Sequence, residues 1–291
     1  MDKLYLSGYA SGVAGVNSHA GEGPSVIQQS SFMREFDSHY QWTAMFHPQQ
    51  SGSIDDVVGL SCVELAKNIS ELTRKHLRFC VVGGDHTSAI GTWSGVYDAL
   101  HQEGETGLIW IDAHMDSHTP ETSESGRLHG MPLACLLGYG YSSLTHILHA
   151  APKIKPENVC LIGVRSFERG EAEFLASLNI KIYFMKEIRA RGMAAVLKEA
   201  VDHVSAHTIA YGVSLDLDAI DPEEAPGVDV REPHGISAKD LTGALSEIAH
   251  DPKWIGSEIV EFNPERDNQH KTEKLIVSLL ETIRGGKKTW V

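Results

Sequence analysis

Short, mainly apolar runs alternate with segments of helical period along almost the whole chain, and this alternation limits the fold more than any other feature. The runs are Leu4–Leu6, Phe79–Val82, Leu108–Ile111, Val159–Val164, Ile180–Phe184, Thr208–Leu217 and Ile255–Phe262. Their length and their bounding turn residues mark them as strands. Between them, Ser25–Phe32, Ile54–His76, Ser88–His101, Met131–Leu148, Glu168–Leu178, Ala194–Val204, Ala238–Ala249 and Glu273–Ile283 are expected helices. In the second of these, Val57, Leu60, Val63, Leu65, Ile69 and Leu72 recur at the spacing of one helix face, and Pro24 suits the first turn of the helix before it. Strands apolar on both faces must be covered on both faces. The expected fold is therefore α/β: a single-domain, three-layer αβα arrangement around a mostly parallel sheet.

Length does not choose between one large domain and two small ones in a chain of 291 residues. No linker-like break and no internal repeat divides it, so residues 1–291 are read as one domain. A formal charge of -14 excludes non-specific nucleic-acid binding, which needs Lys and Arg against phosphates. Cys62, Cys80, Cys135 and Cys160 stand singly in apolar surroundings, which points to reduced core residues and a cytoplasmic setting. No secretory leader and no membrane-length apolar run is present, so no membrane partner is expected.

The stretch Trp110-Ile111-Asp112-Ala113-His114-Met115-Asp116 places three ligand-type side chains at every second residue. In an extended chain these would share one face. Two carboxylates and an imidazole crowded together call for a cation between them. Three other strand ends are polar in the same way: Gly83-Gly84-Asp85-His86, Ser214-Leu215-Asp216-Leu217-Asp218, and Glu261. Alone, the Asp-x-Asp pair reads as a solvated strand end, and Asp85 as a turn or capping residue. Together, His86, Asp112, His114, Asp116, Asp216 and Asp218 supply two imidazoles and four carboxylates at the carboxyl ends of strands, where sites form in such sheets. That is too many for one tetrahedral zinc and suits harder ions, Mn²⁺ first, with Co²⁺ or Fe²⁺ as alternatives. Two such ions roughly 3.5–4 Å apart would make hydroxide from a bridging water, for hydrolysis at an electrophilic carbon or phosphorus.

These four motifs, in this order from about Gly83 to Asn263, resemble those of the ureohydrolase superfamily, which includes arginase, agmatinase and formimidoylglutamase. The resemblance implies an arginase-like fold and two Mn²⁺ per chain. The first ion would be held by His86, Asp112, Asp116 and Asp216, the second by His114, Asp112, Asp216 and Asp218. The loop Thr119-Pro120-Glu121-Thr122-Ser123-Glu124-Ser125-Gly126-Arg127-Leu128-His129-Gly130 is similar to the arginase form. It implies His129 as proton shuttle and Ser125 as a contact for the substrate α-carboxylate. Glu261 would pair with the guanidinium, and Asp116 joins His129 and Glu261 in the expected catalytic set.

Three positions depart from the arginase pattern. His118 stands where arginases usually have Asn for the α-carboxylate, and Glu168 where Asp helps bind the α-amino group, with Glu171 as a second contact. Pro226-Gly227-Val228-Asp229-Val230-Arg231 replaces a Thr-Pro pattern, which removes a hydroxyl near the guanidino end. The expected function is hydrolysis of L-arginine to L-ornithine and urea by a small-substrate enzyme, which by resemblance is a homotrimer or homohexamer. Agmatinase, guanidinobutyrase or formimidoylglutamase activity is the alternative. A catalytically silent metal-binding assembly subunit is a third reading. The short tail Arg284–Val291 gives no reason to expect an assembly extension.

Overall fold

Alternate side chains along each central strand enter two different apolar layers, which is the physical origin of the three-layer architecture. The computed structural model describes residues 3–48 and 51–285. Its strands are β1 (Leu4–Tyr9), β2 (Tyr40–Phe46), β3 (Phe79–Gly83), β4 (Thr106–Ile111), β5 (Val159–Val164), β6 (Lys181–Phe184), β7 (Ala210–Asp216) and β8 (Trp254–Val260). They form one eight-stranded sheet in the order β2-β1-β3-β8-β7-β4-β5-β6, and every neighbouring pair is parallel.

On one face, Val82, Ile109, Ile111 and Ile162 pack with α1 (Gly23–Gln29), α7 (Met185–Arg191), α8 (Met193–Ser205), α9 (Ala238–Ile248) and α10 (Lys271–Arg284). On the other, Val81, Leu108, Trp110 and Leu161 pack with α2 (Ile54–Arg74), α3 (Ser88–Leu100), α4 (Pro132–Leu136), α5 (Ser142–Thr145) and α6 (Arg169–Ser177). Ser53 begins α2 by accepting a hydrogen bond from the Asp56 amide, an N-cap the sequence encodes directly. α2 and α3 lie close enough that a Cβ at Gly95 would come within 2.5 Å of the Ala66 carbonyl oxygen. All four cysteines are buried and unpaired, as their apolar surroundings imply.

Three elements differ from expectation. The helix expected over Met131–Leu148 breaks into α4 and α5, because Gly138 and Gly140 take φ of 94° and 135°, outside helical geometry. The edge strand β2 has no counterpart in the sequence reading, although Gln41 and Thr43 alternate with Tyr40, Trp42 and Ala44 at strand period; it pairs with β1. α7 is likewise unforeseen, its seven residues being too few to show a period. The expectation about the chain's tail concerns residues 286–291, which lie outside the described residues, as do positions 49 and 50 of the expected Pro48–Ser53 loop. Among the described residues, no helix is long and apolar enough to cross a membrane.

Candidate metal centre

The four motif-bearing strands β3, β8, β7 and β4 are consecutive neighbours in the sheet. Their carboxyl ends therefore converge, although the residues span from His86 to Glu261 in sequence. His86 Nδ1 lies 2.9 Å from Asp116 Oδ2, 3.2 Å from Asp216 Oδ2 and 3.4 Å from Asp112 Oδ2. His114 Nδ1 lies 3.0 Å from Asp218 Oδ2 and 3.5 Å from Asp112 Oδ1. Two ligand groups result, His86/Asp112/Asp216 and Asp112/His114/Asp218, and Asp112 belongs to both.

Local backbone rather than strand pleat brings the ligands together, which corrects the expectation that alternate residues project from one strand face. β4 ends at Ile111, so Asp112, His114 and Asp116 all lie in the loop beyond it. Asp112 Oδ1 accepts the His114 amide at 2.7 Å, and Asp116 turns back with φ +48°, a conformation uncommon outside glycine. Asp216 closes β7 and Asp218 sits in the following 3₁₀ turn, where Asp216 Oδ1 accepts the Asp218 amide. Trp110 Nε1 donates to Asp112 Oδ2 at 2.9 Å, and the indole stacks on the His86 ring at 4.3 Å.

His86 supplies the test of whether a cation fits. It is completely buried, and its Nδ1 has no hydrogen-bond partner despite three carboxylate oxygens within 3.4 Å. Its Nε2 meets Ser214 Oγ at 2.8 Å, while Ser214 donates its single proton to Glu258 Oε1 at 2.7 Å. The serine oxygen must then accept from His86 Nε2–H, which leaves the Nδ1 lone pair aimed at carboxylates. A lone pair facing anions in a dry site is unfavourable unless a cation lies between them. An imidazole with several carboxylates is the donor chemistry of a hard or borderline divalent metal, so the residues fit.

Burial is the largest influence on each acidic and imidazole group here, and it opposes every charge. It raises Asp216 and Asp116 above the ordinary carboxylate range and Asp218 to about 6. In Asp112 the close approach of His114 and His86 outweighs burial and holds the carboxyl low. The surrounding carboxylates likewise raise both histidines. The cluster thus holds positive charge at the cost of desolvation.

Around the ligands opens a cavity of about 320 Å³. His129 and Glu261 sit in its wall, with His129 Nδ1 3.2 Å from Glu261 Oε1, which also accepts the His86 amide at 2.9 Å. Glu261 has φ +67°, so a second left-handed non-glycine residue stands at the site. Burial works against the His129 charge, but the hydrogen bond and charge of Glu261 overcome it and raise the imidazole to about 9. Glu261 itself is held below its usual range: burial is again outweighed, here by His129.

Further out, His118 Nδ1 meets Thr122 Oγ1 at 3.2 Å, and its Nε2 meets Glu168 Oε2 at 2.9 Å and Glu171 Oε2 at 3.7 Å. Glu171 is buried, which raises its carboxyl to about 8, and its Oε1 accepts the Glu168 amide at the start of α6. Ser125 lines the same cavity. Every sequence-predicted site residue therefore borders one cleft or lies directly beneath it. The sequence reading missed Glu124, Arg127 and Val16, which also line it, and Glu232, whose Oε1 lies 3.6 Å from His114 Nε2. Glu124 and Arg127 lie inside the quoted loop, so their charge was the available signal; Val16 and Glu232 gave none. A larger cavity, about 660 Å³, lies at the opposite end of the sheet near Arg78 and Trp254 and contains none of these groups.

Comparison with known proteins points to one family. Residues 8–285 match the model of the arginase family. The chain is 44% identical to the arginase of Bacillus subtilis strain 168 over 225 residues, covering 77% of this chain and 74% of that protein. It is 42% identical to the arginase of Bacillus caldovelox over 224 residues, with the same coverage. The native crystal structure of the latter superposes with a TM-score of 0.91 and 33% identity, covering 99% of this chain and 100% of that one.

Proposed function

The chain belongs to the arginase family, and from that membership we propose that it hydrolyses L-arginine to L-ornithine and urea. It is a hydrolase of a guanidino carbon–nitrogen bond. The observation that carries the substrate-level reading is the pair of ligand groups sharing Asp112 beneath a cleft that also holds His129 and Glu261. His86, Asp112, Asp116 and Asp216 would hold one divalent ion and His114, Asp112, Asp216 and Asp218 a second, with Mn²⁺ favoured and Co²⁺ or Fe²⁺ as alternatives. When bound, such ions supply Lewis acidity and lower the pKa of water toward neutrality.

The chain's own residues do the rest. Glu261, held anionic, offers a carboxylate to the planar guanidinium. His129, 3.2 Å from Glu261, would deliver a proton to the departing amine of ornithine. Glu168 puts negative charge at the outer end, where a substrate ammonium would lie, and the buried Glu171 carboxyl stands beside it. We read the chain as one catalytic domain of a cytoplasmic homotrimer or homohexamer.

Purified protein loaded with Mn²⁺ is expected to release urea and ornithine in equal amounts from L-arginine, with two metal ions per chain by elemental analysis. Turnover of only agmatine, 4-guanidinobutyrate or formiminoglutamate would replace the substrate and keep the chemistry. The engagement of His118 by Glu168 is the observation that keeps this second reading in the screen. Bound metal without hydrolysis of any of these compounds would leave a silent assembly subunit.

A further inference from the structure

The outer half of the cleft is acidic, with Glu124, Glu168 and Glu171 in its lining, and it contains a single permanently charged cation, Arg127. His118 is the other polar candidate for an incoming anion, but both its ring nitrogens are already engaged, by Thr122 and Glu168. A substrate carboxylate placed on His118 Nε2 would have to displace the Glu168 carboxylate 2.9 Å away. Like charges at that spacing repel strongly in a half-dry cleft.

Arg127 has the opposite character. Its backbone is extended, with φ −73° and ψ 129°. Leu128, next in the chain, is buried, whereas Arg127 and His129 on either side of it both border the cleft. Ser125 Oγ accepts the Arg127 amide at 3.3 Å, fastening the backbone at this point. Among the described residues the Arg127 side chain is exposed and has no ion pair. A guanidinium offers two parallel N–H donors that match a carboxylate, and no other side chain in the lining does so.

We infer that Arg127, assisted by Ser125, reads the carboxylate at the far end of the substrate and makes the site select a guanidino acid over its decarboxylated amine. The inference rests on the proposed reaction for its substrate and not for its binding test. The His118–Glu168–Glu171 wall then faces the ammonium, and the two walls together read a zwitterion.

The test compares Arg127→Ala and Arg127→Lys with wild type in the metal-loaded enzyme. For L-arginine, Arg127→Ala is expected to raise KM about tenfold, the value of one charge-assisted contact, with kcat within about twofold. Arg127→Lys should recover part of the loss, and agmatine turnover should be unchanged or improved. Calorimetry supplies a readout independent of turnover: L-ornithine should bind about tenfold more weakly to Arg127→Ala, and 1,4-diaminobutane equally well to both proteins. An unchanged KM for L-arginine, or equal weakening of ornithine and diaminobutane, overturns the role of Arg127. Wild-type protein that fails to hydrolyse L-arginine yet shows the ornithine-selective loss overturns the proposed reaction and leaves the role of Arg127 standing.

Discussion

His86 Nε2 lies 2.8 Å from Ser214 Oγ, and the proton Ser214 gives to Glu258 makes that histidine nitrogen the donor. The tautomer of a candidate metal ligand is thus set from β8, one strand beyond β7. Glu258 is itself completely buried and is fixed further by Trp93 Nε1 at 2.8 Å. Ser214→Ala is expected to weaken metal binding about 10- to 100-fold, the usual consequence of removing a partner that orients a ligating histidine. Metal content after dialysis against graded chelator checks it, and unchanged retention would show that the relay is only packing.

His129→Ala should retain metal, because His129 belongs to neither ligand group. Loss of a general acid is expected to cut kcat by about 10²- to 10⁴-fold. Elemental analysis beside steady-state kinetics separates this outcome from simple demetallation.

The pH dependence of His129 follows from Glu261. With its pKa raised to about 9, His129 remains protonated through neutral pH. Because the folded value lies above the ordinary 6.5, the ion pair's contribution to stability is complete below about 6.5 and disappears as pH rises through about 9. Replacing Glu261 by Gln removes the group that raises it most, so the imidazole midpoint should fall, with only the more distant charges of Asp116 and Asp85 left to oppose burial. Imidazole proton shifts followed by NMR in both proteins measure the two midpoints. A midpoint that does not move would rule out Glu261 as the cause.

Removing metal should destabilise the fold, because four aspartates and two histidines then face one another without a cation. An ion present at 100 times its dissociation constant adds about 2.7 kcal/mol, equivalent to about 4–5 °C in Tm for a chain of this size. Calorimetric melts with and without chelator test this, and a larger shift would mean tighter or paired binding.

Gly212 in β7 passes directly beneath Trp93, and a Cβ there would lie 2.0 Å from the indole Cζ3. Gly212→Ala is expected to cost about 1–3 kcal/mol through overpacking. It should also weaken metal retention, since displacing Trp93 disturbs Glu258 and, through Ser214, His86. A melt and the dialysis assay on the same sample check both effects.

The sequence alone determined the class of this fold and named the candidate ligands of its centre. Apolar runs such as Phe79–Val82 and Val159–Val164 must be buried on both faces, and that requirement already calls for a parallel sheet between helices. Asp112, His114, Asp116, Asp216 and Asp218 could be named because ligand types crowd together within a few residues, a local property. Tertiary structure decided what depends on contacts between distant segments. Only the strand order makes β3, β8, β7 and β4 neighbours, because strand order follows from packing whole layers rather than from any local pattern. Only folding places Glu258 behind His86 and turns His118 toward Glu168, and it leaves Arg127 as the one guanidinium lining the cleft. A side chain's partner is chosen in space, and the distances that settle it join residues 44 to 128 positions apart in the chain.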